Sequence, residues 1–227
     1  FYSQWKREFK NSLFLLLLIM FVIKYKCKYK CGVKNMKAVS KLPMGYKEIL
    51  SVNLQKDKKL AFIINAMGFL TMLLMAIPMH FVVPLSTLFD MTEGIGKYAV
   101  RFVVMIVSMV AYIILHEVVH GIAMKICGTK KVKYGFTGMY AFAGSDDYYD
   151  KRSYIIIALA PIVVWGIILA IINCLVPENW FWVVYIVQIS NISGAAGDIY
   201  VTAKFSKLPK DILVTDCGVG MTIYSAE

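Results

Sequence analysis

Residues 98–127 read YAVRFVVMIVSMVAYIILHEVVHGIAMKIC. The stretch is apolar for longer than the roughly 18 residues that mark a membrane-helix candidate. It also carries His116, Glu117 and His120 near its end. Residues four apart share one face of a helix, so both imidazoles can reach a single ion. Glu117, beside the first of them, is placed to act as general base towards water. Ionisable side chains so closely spaced in a membrane helix are costly without a compensating ion or a water-filled cavity. Two of the chain's 3 histidines fall in this motif, which favours a zinc site over a pair of interior, hydrogen-bonded histidines.

The rest of the chain has the composition that such a helix needs around it. It is 59% hydrophobic and 17% charged over 227 residues, more apolar than a soluble domain of this size requires. Four spans are expected, at about 60–89, 98–127, 154–176 and 180–203, and their mostly short connections favour adjacent antiparallel helices. The expected fold class is an all-α polytopic membrane protein of about four transmembrane helices, with a short cytoplasmic-side β-hairpin. The hairpin is expected where Val132, Tyr134 and Phe136 alternate with Lys131, Lys133 and Gly135, before Tyr140 and Phe142. An open strand edge there could hold a peptide extended, and an aromatic interfacial loop is the other reading of the same residues. The membrane-embedded domain is placed at 36–227. An N-terminal extension, 1–35, precedes it and contains the apolar run LFLLLLIMFVI at 13–23. That run resembles a signal-peptide core or anchor, though no small-residue cleavage site follows it. Met36 and Met44 are both candidate starts.

The formal net charge of +11 is concentrated in 24–59, in the 128–153 loop and in the tail after the fourth span. Basic residues so placed report topology and anionic lipid headgroups. These three segments and the C-terminus are therefore expected on the cytoplasmic side of a cell membrane. No recognition motif accompanies the charge, so nucleic acid is not an expected partner. The 5 cysteines do not form a disulfide framework.

A catalytic zinc needs a third protein ligand and an open position. His116 lies about 21 Å along the inward-running second span and Asp198 about 27 Å along the inward-running fourth. His80, about 30 Å along the outward-running first span, is too far out, and Glu178 falls in an external loop. Asp198 is therefore the expected third ligand. It shares a helical face with Gln188, Asn191 and Ala195, and the small residues 194–197 allow close approach by a neighbouring helix. Asp146 and Asp147, in the polar loop, stay open as alternatives.

HEVVHGIAMKICG, then KVKYGF, IIIALAPIVV, GDIYV and a closing DCGVGMTIY resemble, in this order, a bacterial family of zincin-like membrane peptidases. The resemblance covers roughly Leu42 to Tyr224. It implies zinc at His116 and His120, base work by Glu117, and a third ligand from the Gly197–Asp198 pair. The arrangement is also similar to site-2 proteases, but here Gly197 precedes the aspartate, in place of the Leu-Asp-Gly order of those enzymes. The expected function is a zinc-dependent membrane metalloendopeptidase. It would hydrolyse peptide bonds of a peptide or membrane-protein substrate at or within the cytoplasmic half of the bilayer. The alternative is a non-catalytic polytopic membrane protein with a structural zinc or a binding role, which a fourth protein ligand would indicate.

Overall fold

The computed structural model describes residues 38–53, 55–138, 140–218 and 220–226. The apolar 13–23 run, Cys27, Cys31 and the basic residues up to Lys37 lie outside the described residues. After strand β1 (Tyr46–Val52), helix α1 (Lys58–Val82) starts at Asp57, whose carboxylate accepts from the Leu60 N–H at 2.9 Å. That bond satisfies one of the donors every helix start leaves free. Extended Val83 and Pro84 end α1, and a short 3-10 turn, Leu85–Phe89, leads to α2 (Ile95–Ile126). Strands β2 (Lys133–Phe136) and β3 (Ala141–Asp150) follow. Asp150 then caps α3 (Lys151–Leu175) by accepting from the Ser153 N–H at 2.7 Å.

Helices α1, α2 and α3 are long and apolar enough to cross a membrane. Their outward faces are bare: Phe62, Leu74 and Phe81 of α1 are 74%, 66% and 77% exposed. Apolar surface on this scale marks an interaction site or a membrane face.

The expected fourth span is not one helix. It divides into α4 (Glu178–Ser193) and α5 (Ala196–Ser206), with a turn at Gly194 and Ala195. Helix α1 lies directly against the break. A Cβ on Gly68 would stand 2.7 Å from the Ser193 carbonyl oxygen and 3.7 Å from the Ala196 Cβ. The small residues expected to admit a neighbouring helix do so, but at a bend.

The all-α expectation is also corrected. The hairpin is present, with Tyr134 opposite Ala143 and Phe136 opposite Ala141, but it is one end of a five-stranded antiparallel sheet of order β1-β5-β4-β3-β2. Strand β4 (Leu213–Asp216) pairs with the later part of β3, and β5 (Met221–Ala226) closes on β1, Tyr46 opposite Ala226. These strands are short, and β1 and β5 are far apart in sequence, so neither periodicity nor turn spacing announces their pairing. The sheet packs on α3 and α5 through Tyr149, Tyr154, Ile157, Phe205, Val214 and Ile223, all buried. A second core at the other end of the helices holds Val83, Phe181 and Trp182, with the Trp182 Nε1–H donating to the Val83 and Pro84 carbonyls at 3.1 and 3.2 Å.

Gly68 is a mid-helix glycine, where alanine alone would add about 1 kcal/mol of helix propensity. The Ser193 carbonyl reverses the sign, because overpacking costs about 1–3 kcal/mol. Gly68→Ala is therefore expected to lower the unfolding midpoint. Gly96→Ala, where an added Cβ meets nothing within 4 Å, is expected to leave it unchanged or raise it slightly. Thermal unfolding of both variants in detergent checks this, and a Gly68→Ala protein more stable than the parent would contradict the close approach.

Candidate metal centre

Helix α2 presents Tyr112, His116 and His120 as successive steps of four, so all three lie along one face. Asp198 enters from α5, in its first turn. The turn at Gly194 and Ala195 thus makes Asp198 a helix-start residue, where the free N–H groups and the helix dipole favour a carboxylate. Asp198 Oδ2 lies 3.6 Å from His116 Nε2 and 3.7 Å from His120 Nε2. Among the described residues, these three side chains offer ligand atoms all within 4.8 Å of one another.

Their hydrogen bonds decide which nitrogen of each ring faces the cluster. His120 Nδ1 lies 2.9 Å from the Ile157 carbonyl oxygen, which can only accept, so Nδ1 carries the proton and Nε2 of the neutral ring keeps its lone pair. That carbonyl is free because Pro161, four residues on, has no N–H to bond to it. On the other ring, Tyr112 donates to Asn191 Oδ1 at 3.1 Å, so its oxygen accepts from His116 Nδ1–H at 2.8 Å. Asn191 is oriented in turn by Nδ2, which donates to the Ile162 carbonyl at 3.1 Å. Both Nε2 atoms consequently face the Asp198 carboxylate. A tetrahedral ion with zinc-like bond lengths spaces its ligands by about 3.3 Å, and the two His–Asp distances exceed this by only a few tenths of an ångström.

Glu117 lies beside the cluster on the wall of a cavity of about 520 Å³. The Ala143 backbone N–H lies against its carboxylate, which brings the start of β3 to the site. The hairpin is seated on α2 at Gly121, where an added Cβ would stand 1.9 Å from the Tyr134 hydroxyl. Phe136, Tyr140 and Phe142 line the same cavity, together with Asp216, Gly218 and Met221 from the other side of the sheet. Asp216 accepts from the Tyr154 hydroxyl at 2.7 Å and from the Gly218 N–H at 2.8 Å. Burial pushes its carboxyl above the usual range, and these two hydrogen bonds offset part of the rise.

Thus the structure brings His116, Glu117, His120 and Asp198 to one cavity. The alternatives stand elsewhere. Asp146 is an exposed partner of Lys133 at 2.7 Å across the hairpin, and Asp147 is likewise outside the cluster. Glu178 lies in the first turn of α4, and His80 Nδ1 accepts from the Leu85 N–H at 3.1 Å, closing the end of α1. Sequence reasoning missed Tyr112, Asp216 and the Ile157 carbonyl. Tyr112 had a signal, one helical step of four before His116, and the carbonyl had another in Pro161. Asp216 had none beyond its place in DCGVG.

A His–His–carboxylate set with a neighbouring glutamate, on two helices facing a cavity, is compatible with zinc binding. Consistent with this, residues 109–213 match the model of the family described as "Putative zincin peptidase", the family that the motif set resembles. A Pyrococcus woesei protein, "Uncharacterized 24.7 kDa protein in gap 5'region", is 30% identical over 122 residues, 52% of this chain and 53% of that protein. The chain therefore spans about half the length of this curated relative. No solved structure matches.

Pro161→Ala restores an N–H that competes with His120 for the Ile157 carbonyl. Zinc affinity is expected to fall about tenfold, as for loss of a hydrogen bond that orients a ligand, with helicity kept or raised. Asp198→Ala, which removes a ligand, should cost more. Competition with a fluorescent chelator measures both, and an unchanged affinity in Pro161→Ala would refute the role of the freed carbonyl.

Proposed function

We propose that the chain is a membrane-embedded zinc metallopeptidase, with His116, His120 and Asp198 as protein ligands and Glu117 as catalytic base and proton carrier. The observation that carries this is the pair of Nε2 atoms facing one carboxylate oxygen at 3.6 and 3.7 Å, each ring held by a hydrogen bond at Nδ1. Zinc held there supplies Lewis acidity, acidifying water and polarising a peptide carbonyl. The set has three protein ligands, as in a catalytic site, and a structural zinc would want a fourth.

The chain's own residues supply the rest. Glu117 Oε takes a proton from the attacking water and returns it to the departing amine, so the carboxylate ends as it began. The cavity wall formed by Phe136, Tyr140 and Phe142 excludes bulk water and strengthens electrostatics inside. Strand β2 ends the sheet, and an extended peptide added along that edge would be presented in the conformation hydrolysis needs. The bare faces of α1, α2 and α3 support residence in a bilayer. Basic residues Lys130, Lys131 and Lys133 between α2 and β3 support placing the sheet on the cytoplasmic side.

Glu117→Gln should retain zinc and lose at least about a hundredfold in turnover, the scale of general-base contributions. The assay is cleavage of fluorescently quenched casein in dodecyl maltoside micelles, with metal content measured on the same samples. A Glu117→Gln protein as active as the parent would sink the base assignment. A zinc-replete parent that cleaves neither casein nor a membrane-inserted helical peptide would leave the non-catalytic reading in its place.

The orientation has its own test. In a cysteine-free background, Lys131→Cys and Glu178→Cys, both at exposed positions, should react with an impermeant maleimide from opposite faces of sealed vesicles. Labelling of both from the same face would overturn the topology.

A further inference from the structure

Helix α1 carries three polar side chains beyond its first turn, Asn65, Thr71 and His80. The Thr71 hydroxyl donates to the Met67 carbonyl at 2.9 Å, and His80 accepts from the Leu85 N–H. Asn65 is exposed and has no hydrogen-bond partner among the described residues. In a helix apolar enough to cross a membrane, an unmet carboxamide is costly, because no water is there to meet it. Its place on the helix is a border. Ile64 and Gly68 are buried against the rest of the fold, whereas Phe62 and Phe69 are bare. Asn65 stands between the two faces and lines the cavity that holds the metal cluster. On α2 the matching border is Met109, Ile113 and Glu117, successive steps of four. All three line the same cavity, and Ile113 is 46% exposed.

The two helices share a core at the other end, where Met72 and Met75 of α1 and Phe102 and Met105 of α2 pack on Phe181 and Trp182. At the level of Asn65 and Ile113 the cavity lies between them instead, with exposed residues of both helices in its lining. We propose, resting on the peptidase reading of this cavity, that Asn65 is a substrate-binding residue. Its carboxamide hydrogen-bonds the main chain of a membrane-spanning substrate helix where that helix unwinds between α1 and α2. A helix satisfies its own N–H and C=O groups, and in lipid every turn that opens leaves some of them unmet. An asparagine offers one acceptor and one amide donor group together, the complement of a single peptide unit. Asn65 holds both unused at the edge of the cavity that contains Glu117. The same contact in water competes with solvent and contributes little. Asn65 therefore confers a preference for membrane-inserted over soluble substrates.

The test uses the full chain in phosphatidylcholine vesicles with two fluorescently quenched substrates. One is casein, and the other is a membrane-inserted helical peptide of about 20 apolar residues with a central glycine pair. Asn65→Leu is expected to lower cleavage of the inserted peptide relative to casein about tenfold, the scale of a hydrogen bond left unmade in an apolar setting. Asn65→Gln, which keeps a carboxamide, should recover most of that ratio. Phe69→Leu, on the bare face one turn on, should leave it at the parent's value. Binding is read without turnover in the Glu117→Gln protein, through a benzophenone maleimide attached in a cysteine-free background at Asn65→Cys or Leu74→Cys. The inserted peptide should crosslink severalfold more at 65 than at 74. A ratio unmoved by Asn65→Leu in an active protein, or equal crosslinking at both positions, would overturn the assignment. A parent that cleaves neither substrate would instead fault the peptidase reading, and the crosslinking alone then decides whether Asn65 meets a membrane-spanning helix.

Discussion

The hydrogen bond from His120 to the Ile157 carbonyl exists only because α3 contains a proline one turn later. Proline inside a helix sacrifices a backbone bond, at about 3 kcal/mol in an exposed setting. Here the acceptor left over is what holds the His120 ring in the tautomer that presents Nε2. An N–H donor at position 161 would compete for that acceptor, and a ring free to turn would offer the ion either nitrogen or neither. Helix α3 is thereby fixed in register to α2 at one point, and the cores on either side of that point pack around it.

The same economy governs the other imidazole. His116, Tyr112, Asn191 and the Ile162 carbonyl form one chain in which every donor has an acceptor and every link has a single allowed direction. In an apolar environment an unmet donor costs about 1–3 kcal/mol, so such a chain is stable only when complete. It also crosses from α2 to α4 and on to α3, tying three helices at the depth of the site.

Much of this was readable beforehand because it is local. HEVVH sets two imidazoles on one helical face, with a carboxylate next to them, whatever surrounds them. Asp198 followed from depth and from the small residues before it, although the reasoning assumed a straight helix and the chain turns at Gly194. The bend leaves the aspartate beside both imidazoles and in the first turn of α5. The sheet was less legible. Its hairpin announced itself by alternation from Val132 to Phe136, but β4 is four residues long and β1 meets β5 across nearly the whole described chain. Pairings of that separation leave no periodic trace in either strand. Asp216, placed by that sheet, was invisible for the same reason.

This division has a consequence for how the site is built. The three candidate ligands come from two helices and depend on backbone and side-chain bonds within the helical layer. The cavity beside them is lined by these helices and, on its other wall, by β3, by Asp216, Gly218 and Met221, and by Val52 at the end of β1. The sheet is seated on the helices through the buried core of Tyr149, Tyr154, Ile157, Phe205, Val214 and Ile223, and through Tyr134 over Gly121 and Tyr154 on Asp216. Ion binding and cavity shape therefore rest on different interactions of the same fold.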